Sequence, residues 1–83
     1  MENHIRVYRS FKKERQEDVA RAIGVTVGTI NAIENGKNIP SFVVAVRLAR
    51  HFNTTVEKLF VVDELDMLTP LEDLITTEKK ITE

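Results

Sequence analysis

The chain has 83 residues, of which 42% are apolar, and this fits one small domain with a single core and leaves no room for two. Its longest apolar runs, Phe42 to Val46 and Leu59 to Val62, are far too short for a membrane-spanning helix. Cysteine is absent and the formal net charge is −1, so disulfides and thiolate metal sites are excluded and the overall charge indicates no partner.

Periodicity and turn residues predict five short helices in the first 60 residues. In the first, apolar and aromatic residues recur every three positions from Ile5 to Phe11, and we expect this helix to end near Lys13. The second is predicted over residues 17–23. Gly24 then ends it, because glycine adopts the left-handed conformation that follows a helix at no steric cost.

Capping residues delimit the next three helices. Thr26 is a good N-cap for a third helix, which carries Ile30 and Ile33 on one face and which Asn35-Gly36 ends. Ser41 is a good N-cap for a fourth helix over residues 42–52, and a short fifth helix follows over residues 56–60. The core contacts expected from the fourth helix are Val46, Leu48, Ala49 and Phe52.

Beyond residue 60 the pattern changes, and we divide the chain into a domain over residues 1–60 and an acidic C-terminal extension over residues 61–83. Val61-Val62 is strand-like, which leaves open a short strand pairing across a two-fold axis. Thr69 and Pro70 have the pattern of a helix start, and the apolar stripe that follows stops at Ile75. The leucines of this extension fit packing on a partner subunit, binding of a regulatory protein, or a disordered end.

Charge is distributed unevenly between these two parts. Residues 1–58 hold ten Lys and Arg against six Asp and Glu, whereas residues 59–83 hold two against seven. A basic body with an acidic tail is typical of a polyanion-binding region, although two solvated faces that differ by chance would give the same pattern.

The most informative stretch is residues 16–36, whose spacing matches two helices that cross steeply at a tight turn. Such a pair needs a small residue at the closest approach, a left-handed turn residue and apolar anchors. Ala20, Gly24 and Ile30 occupy these three positions. The other buried positions are expected to be filled by Val19, Ile23, Val25 and Ile33.

These residues and those around them resemble the phage-repressor (Cro/repressor-type, XRE) helix-turn-helix family, in particular its short stand-alone bacterial and archaeal regulators. The resemblance runs from Ile5 to Phe60. It rests on Gln16-Glu17-Asp18-Val19-Ala20, Gly24-Val25-Thr26, Thr29 to Lys37, Pro40-Ser41 and Val56 to Phe60. It implies an all-α, five-helix, lambda-repressor-like domain whose third helix enters the DNA major groove, usually as a homodimer on a palindrome.

The resemblance also implies roles for individual residues. Gln16 is implied to contact a phosphate, while Thr29 and Asn31 are the polar candidates for base edges on the exposed face of the third helix. Arg9 matches an arginine that pairs with the glutamate matching Glu34, which we interpret as a structural pair. The full set expected at the DNA is Gln16, Thr26, Val27, Gly28, Thr29, Asn31, Asn35, Lys37 and Asn38.

The chain departs from the family in two places. The family often carries Arg-Gln or Gln-Gln at the head of the third helix, where this chain has Val27-Gly28. Two long base-reading side chains are therefore missing, although Val27 can contact a thymine methyl and Gly28 lets the protein backbone approach the DNA closely. We expect base specificity to be reduced or to depend on DNA shape. In the link between the first two helices, Glu14 stands where the family prefers an apolar residue and Arg15 where it prefers a capping Ser or Thr. We expect Phe11 to fill the vacated core position.

Composition does not favour an enzyme or a metal protein. His4 and His51 have no ligand-spaced partner, so packing histidines are favoured over a metal site. Ser41 follows a proline and precedes a helix, which favours an N-cap over a nucleophile. We therefore expect no enzymatic activity, no metal and no cofactor. Residues 1–4 lack the layout of a secretory signal, and we expect a cytoplasmic location.

The sequence thus predicts a DNA-binding transcriptional regulator. We expect it to bind a pseudo-palindromic operator as a homodimer and to repress transcription, and we expect no membrane partner. The alternative is a protein-interaction or antitoxin-like module that keeps the helix-turn-helix fold with weak or no sequence-specific DNA binding. In that interpretation Val27-Gly28 is the trace of lost readout, and the C-terminal tail docks a protein partner.

Overall fold

The computed structural model describes residues 1–62, 67–68 and 70. In this part of the chain five α-helices follow one another: α1 (Ile5–Lys12), α2 (Gln16–Ile23), α3 (Val27–Glu34), α4 (Phe42–His51) and α5 (Val56–Leu59). The predicted all-α, five-helix class is confirmed. The helix start predicted at Thr69, with its continuation to Ile75, lies outside the described residues apart from Pro70. Within the described ranges, none of the helices has the length and apolar composition needed to cross a bilayer.

Side-chain caps explain where three of these helices begin. The hydroxyl oxygens of Thr26, Ser41 and Thr55 each accept a hydrogen bond from the backbone N–H three residues later, at 3.2 Å. These bonds satisfy N–H groups that have no partner within the first turn of a helix. The predicted caps Thr26 and Ser41 are therefore confirmed.

The second helix begins without a capping hydroxyl, because Arg15 precedes it. The Arg15 N–H instead donates to Asp18 Oδ2 at 2.8 Å. This bond and the positive charges of Arg15 and Arg21 hold the pKa of Asp18 below its ordinary value of 3.8. Asp18 is therefore ionised at neutral pH, and the stability that it contributes is lost only as the pH falls through the lowered pKa.

A single core lies between the five helices. Each helix contributes one side chain that is 0% exposed: Ile5, Val19, Ile30, Leu48 and Leu59. Around them lie seven further buried apolar residues: Ala20, Ile23, Ile33, Ala45, Ala49, Phe52 and Phe60. No helix can leave this arrangement without exposing a fully buried side chain, so all five helices form one cooperative unit.

The buried face of α4 differs by one residue from the prediction. Leu48, Ala49 and Phe52 are buried as expected, but Val46 is half-buried and Ala45 takes its place in the core. Positions 45, 48, 49 and 52 form one stripe along a helix, and position 46 lies about 100° away from position 45.

The prediction that Phe11 fills a core position is wrong, since its side chain is 82% exposed. Each step of three residues turns back by about 60° around a helix, so Phe11 lies about 120° from Ile5. The Glu14 side chain instead pairs with α4, where its Oε1 lies 2.8 Å from Nε2 of His51. A hydrogen bond between Glu14 and His51 thus stands where the family prefers an apolar contact in this link.

The N-terminal segment pairs with the chain that follows α5. Asn3 and Phe60 form an antiparallel bridge, the His4 N–H donates to the Leu59 carbonyl and the Val61 N–H donates to the Glu2 carbonyl, each at 2.8 Å. Strand-like pairing near Val61 therefore occurs within one chain, and the Val61 donor is not free for the pairing across a two-fold axis that the sequence left open.

Candidate nucleic-acid interface

The turn between α2 and α3 has the geometry that the spacing predicts. Gly24 adopts φ 81°, and its N–H and that of Val25 both donate to the Ala20 carbonyl, at 2.9 and 3.0 Å. Ala20 and Ile30 are buried, whereas Val25 is only half-buried. A side chain at position 24 would be strained by this φ, so the backbone conformation favours glycine there.

The third helix has a buried face and an outer face. Ile30 and Ile33 point into the core and are 0% and 2% exposed, while Asn31 is exposed. Thr29 differs from the prediction of an exposed position, because it is half-buried and its hydroxyl lies 3.0 Å from that of Thr26. Asn31 is therefore the more exposed of the two polar residues predicted to face bases.

The first two residues of α3 have no polar side-chain atoms but are exposed to solvent. Val27 is 45% exposed and Gly28 is exposed. A Cβ built on Gly28 would meet the Thr26 hydroxyl oxygen at 3.8 Å, an ordinary contact. Packing among the described residues therefore leaves room for a side chain at position 28.

Three of the predicted site residues join in one hydrogen-bonded chain across the outer face. Gln16, at the start of α2, accepts from Asn31 Nδ2 at 3.4 Å. Asn31 Oδ1 in turn accepts from Asn35 Nδ2 at 2.7 Å. The three amides therefore form a continuous polar surface that spans both helices.

The loop after α3 holds two further predicted residues beside this surface. The backbone N–H groups of Lys37 and Asn38 both donate to the Ala32 carbonyl, at 2.9 and 3.3 Å. Gly36, at φ 74°, makes the turn that permits these bonds. The side chains of Lys37 and Asn38 are exposed at the C-terminal end of α3.

A buried carboxylate lies behind the amide surface. Glu34, whose side chain is 0% exposed, pairs with the Arg9 guanidinium through both oxygens. Arg9 Nη1 also donates to the Glu14 carbonyl at 2.9 Å, which ties α1 to the link before α2. The structural pairing of Arg9 with Glu34, expected from the family resemblance, is confirmed.

Two further contacts of this carboxylate were not predicted. Gln16 Nε2 donates to Glu34 Oε1 at 3.2 Å, and the exposed guanidinium of Arg6 lies 3.7 Å from the same oxygen. Both contacts join residues that are distant in the chain, and only the α1–α2–α3 packing brings them together. The sequence feature that could have indicated such contacts is the acidic Glu34 on the same helix as the buried Ile30 and Ile33.

The predicted site residues therefore form two hydrogen-bonded groups, and Val27 and Gly28 lie exposed at the start of α3. The groups are Gln16–Asn31–Asn35 and Thr26–Thr29, with Lys37 and Asn38 at the end of the helix. The contacts of these residues with DNA remain predictions. Within the described ranges, no group of three His, Asp or Glu side chains is arranged to hold a metal ion.

Comparison with known proteins identifies the family. The family model described as helix-turn-helix matches residues 13–59. An uncharacterized HTH-type transcriptional regulator of Methanocaldococcus jannaschii is 38% identical over 64 residues, covering 77% of this chain and 97% of the relative. A regulator of the same description from Archaeoglobus fulgidus is 37% identical over 67 residues, covering 81% and 96%. One from Bacillus subtilis is 31% identical over 64 residues, covering 77% and 97%. The chain thus belongs to the XRE-type helix-turn-helix family of DNA-binding transcriptional regulators.

Proposed function

We propose that this protein binds one specific double-stranded DNA operator as a homodimer and represses transcription from it in the cytoplasm. The observation that carries the proposal is the amide surface of Gln16, Asn31 and Asn35, which joins the start of α2 to the side of α3 that faces away from the buried Ile30 and Ile33. A recognition helix needs this arrangement, with apolar anchors on one side and base-reading groups on the other.

Charge supports a DNA partner. Residues 1–58 have a net charge of +4, from ten basic against six acidic residues, and Lys37 lies exposed at the end of α3. Each phosphate neutralised by Lys or Arg releases counterions, so we expect affinity to fall steeply with added salt. The acidic residues 59–83 oppose non-specific binding, because they repel the phosphate backbone.

A second copy of the chain is the proposed occupant of an apolar groove. The groove has a volume of about 250 Å³ and is lined by Met1, Ile39, Pro40, Ala45, Val56, Glu57, Phe60 and Val62. Phe42, which lies in the sequence between the lining residues Pro40 and Ala45, is 81% exposed, and Val43 is 54% exposed. A two-fold interface uses the same patch on both subunits, so an exposed aromatic side chain beside an apolar groove suits self-association.

Replacing Asn31 by alanine is expected to reduce the protein's ability to discriminate between sequences. The preference for the operator over a duplex changed at the base pair that Asn31 contacts should fall by about 1–3 kcal/mol, the value of a bidentate side-chain contact. Titration of both duplexes at one salt concentration measures the preference.

The matched control is Asn38→Ala, which removes the same type of side chain from the loop after α3. Because we place Asn38 at the phosphate backbone, binding to both duplexes should weaken equally and the preference should persist. If Asn31→Ala behaves like Asn38→Ala, α3 does not read bases through Asn31.

Replacing Phe42 by alanine is expected to raise the dissociation constant of the dimer about tenfold to a hundredfold, since it removes about 1.5–3 kcal/mol of side-chain burial. Analytical ultracentrifugation over a concentration series measures this constant. Phe11→Ala is the control, because Phe11 is equally exposed at 82% but lies on α1. A dimer that tolerates Phe42→Ala as well as Phe11→Ala would rule out this surface.

The small residues Val27 and Gly28 at the head of α3 favour one alternative, a protein-interaction or antitoxin-like module with weak sequence readout. In that case the wild-type protein would bind all duplexes alike, and Asn31→Ala would leave this behaviour unchanged.

A further inference from the structure

The amides on the outer face of α3 belong to a hydrogen-bonded chain that starts at the buried carboxylate of Glu34. Glu34 Oε1 accepts from Gln16 Nε2 at 3.2 Å, and Gln16 Oε1 accepts from Asn31 Nδ2 at 3.4 Å. Asn31 Oδ1 then accepts from Asn35 Nδ2 at 2.7 Å. Every amide in the chain donates toward Glu34 or toward the amide nearer to it.

The chemistry of a carboxylate fixes this direction. An amide has a donating and an accepting end and fits a neutral partner either way round, whereas a carboxylate only accepts. Gln16 must therefore turn its NH₂ group toward Glu34, which leaves its oxygen for Asn31. Arg9 holds the carboxylate in place by donating to both of its oxygens, and the Glu34 side chain is 0% exposed.

We propose that Glu34 is a positioning residue for DNA readout: it fixes the orientation of the Gln16 amide and, through Gln16, that of Asn31 before DNA binds. Asn31 then has one N–H and one lone pair of Oδ1 left, which are the two groups that an adenine edge requires. Gln16 likewise has one N–H left for a phosphate oxygen. The readout part of this inference rests on the proposed function, whereas the orientation part concerns the free protein.

The orientation is tested first in the full-length protein without DNA. Nitrogen-15 relaxation should give the side-chain amides of Gln16 and Asn31 clearly higher order parameters than that of the exposed Asn38, for which we expect a flexible value below about 0.6. Gln16 and Asn31 side chains as mobile as that of Asn38 would overturn the proposal.

The carboxylate itself is tested by Glu34→Gln, with Glu17→Gln as control. Glu17 is an exposed residue of α2 next to Gln16, and its substitution removes the same charge. With backbone amide spectra showing that a variant is folded, only Glu34→Gln should lower the order parameters of Gln16 and Asn31. Equal order in both variants would overturn the proposal, and if Glu34→Gln does not fold, the wild-type comparison with Asn38 decides.

The link to readout is tested with the selected operator duplex and the same duplex changed at one base pair. Glu34→Gln should reduce the ratio of the two dissociation constants about fivefold or more, the lower limit for losing an oriented base contact, while Glu17→Gln should leave the ratio unchanged. An unchanged ratio in Glu34→Gln would overturn the positioning role. A wild-type protein that prefers no duplex, yet has rigid amides that respond to Glu34→Gln, would support the orientation and overturn the proposed function instead.

Discussion

Replacing Arg9 by leucine is expected to lower the free energy of unfolding by about 3–5 kcal/mol, the cost of leaving a buried charge without its partner. The Glu34 side chain is 0% exposed and that of Arg9 16% exposed, so water cannot replace the guanidinium. Gln16 remains as a neutral donor at 3.2 Å, and the Arg6 guanidinium remains 3.7 Å from Glu34 Oε1. Arg6 is 72% exposed, so neither contact replaces the two hydrogen bonds that Arg9 donates to the buried carboxylate. Urea unfolding followed by far-UV circular dichroism measures the loss.

The double variant with leucine at positions 9 and 34 provides the control for this prediction. With both charges replaced by apolar groups, no buried charge is left unpaired, and most of the lost stability should return. A loss of only about 0.5 kcal/mol in the single variant would be typical of an exposed ion pair. That result would contradict the buried position of Glu34.

Replacing Ile30 by alanine is expected to destabilise the protein by about 2–5 kcal/mol, the range for truncating a fully buried aliphatic side chain. Ile30 is 0% exposed and lies in the core opposite Asn31 on α3. A small domain has about 5–15 kcal/mol of total stability, so this variant should unfold at a much lower denaturant concentration.

Val27→Ala on the same helix is the matched control. Val27 is 45% exposed, and its truncation should change stability by about 0.5 kcal/mol or less. If Val27 contacts a thymine methyl, the same change should weaken operator binding at a salt concentration where the protein is fully folded. Equal losses of stability in the two variants would mean that α3 does not have one buried and one exposed face.

The helices could be predicted because their boundaries depend on local chemistry. Thr26 and Ser41 cap the helices that they precede, and Gly24 adopts the left-handed conformation that only glycine adopts freely. The α2–α3 frame followed from the same local signals. The family resemblance added the pairing of Arg9 with Glu34, which no local pattern contains.

The predictions of buried residues were wrong where apolar residues occur on more than one face of a helix. Intervals of three residues suggested that Phe11 continues the buried face of Ile5, but the helical rotation carries it into solvent. The apolar pattern of α4 predicts Val46 in the core, but the stripe of Leu48, Ala49 and Phe52 continues through position 45, so Ala45 is buried instead. In both cases three-dimensional geometry decided the outcome and hydrophobicity did not.

Polar contacts between residues that are far apart in the chain could not be predicted from the sequence. Glu14 was recognised as a departure from the family, but its partner His51 is 37 residues away. The bond from Gln16 to Glu34 depends on how α2 packs on α3. Polar residues at such positions have several candidate partners in a sequence, and packing alone selects among them.

Selection of random duplexes by the full-length protein tests the central claim most directly. We expect enrichment of one pseudo-palindrome whose half-sites lie about one helical turn, ~34 Å, apart, as two recognition helices of a dimer require. Duplexes recovered without any common motif, together with equal affinity for all of them at the same salt concentration, would contradict sequence-specific binding by this protein.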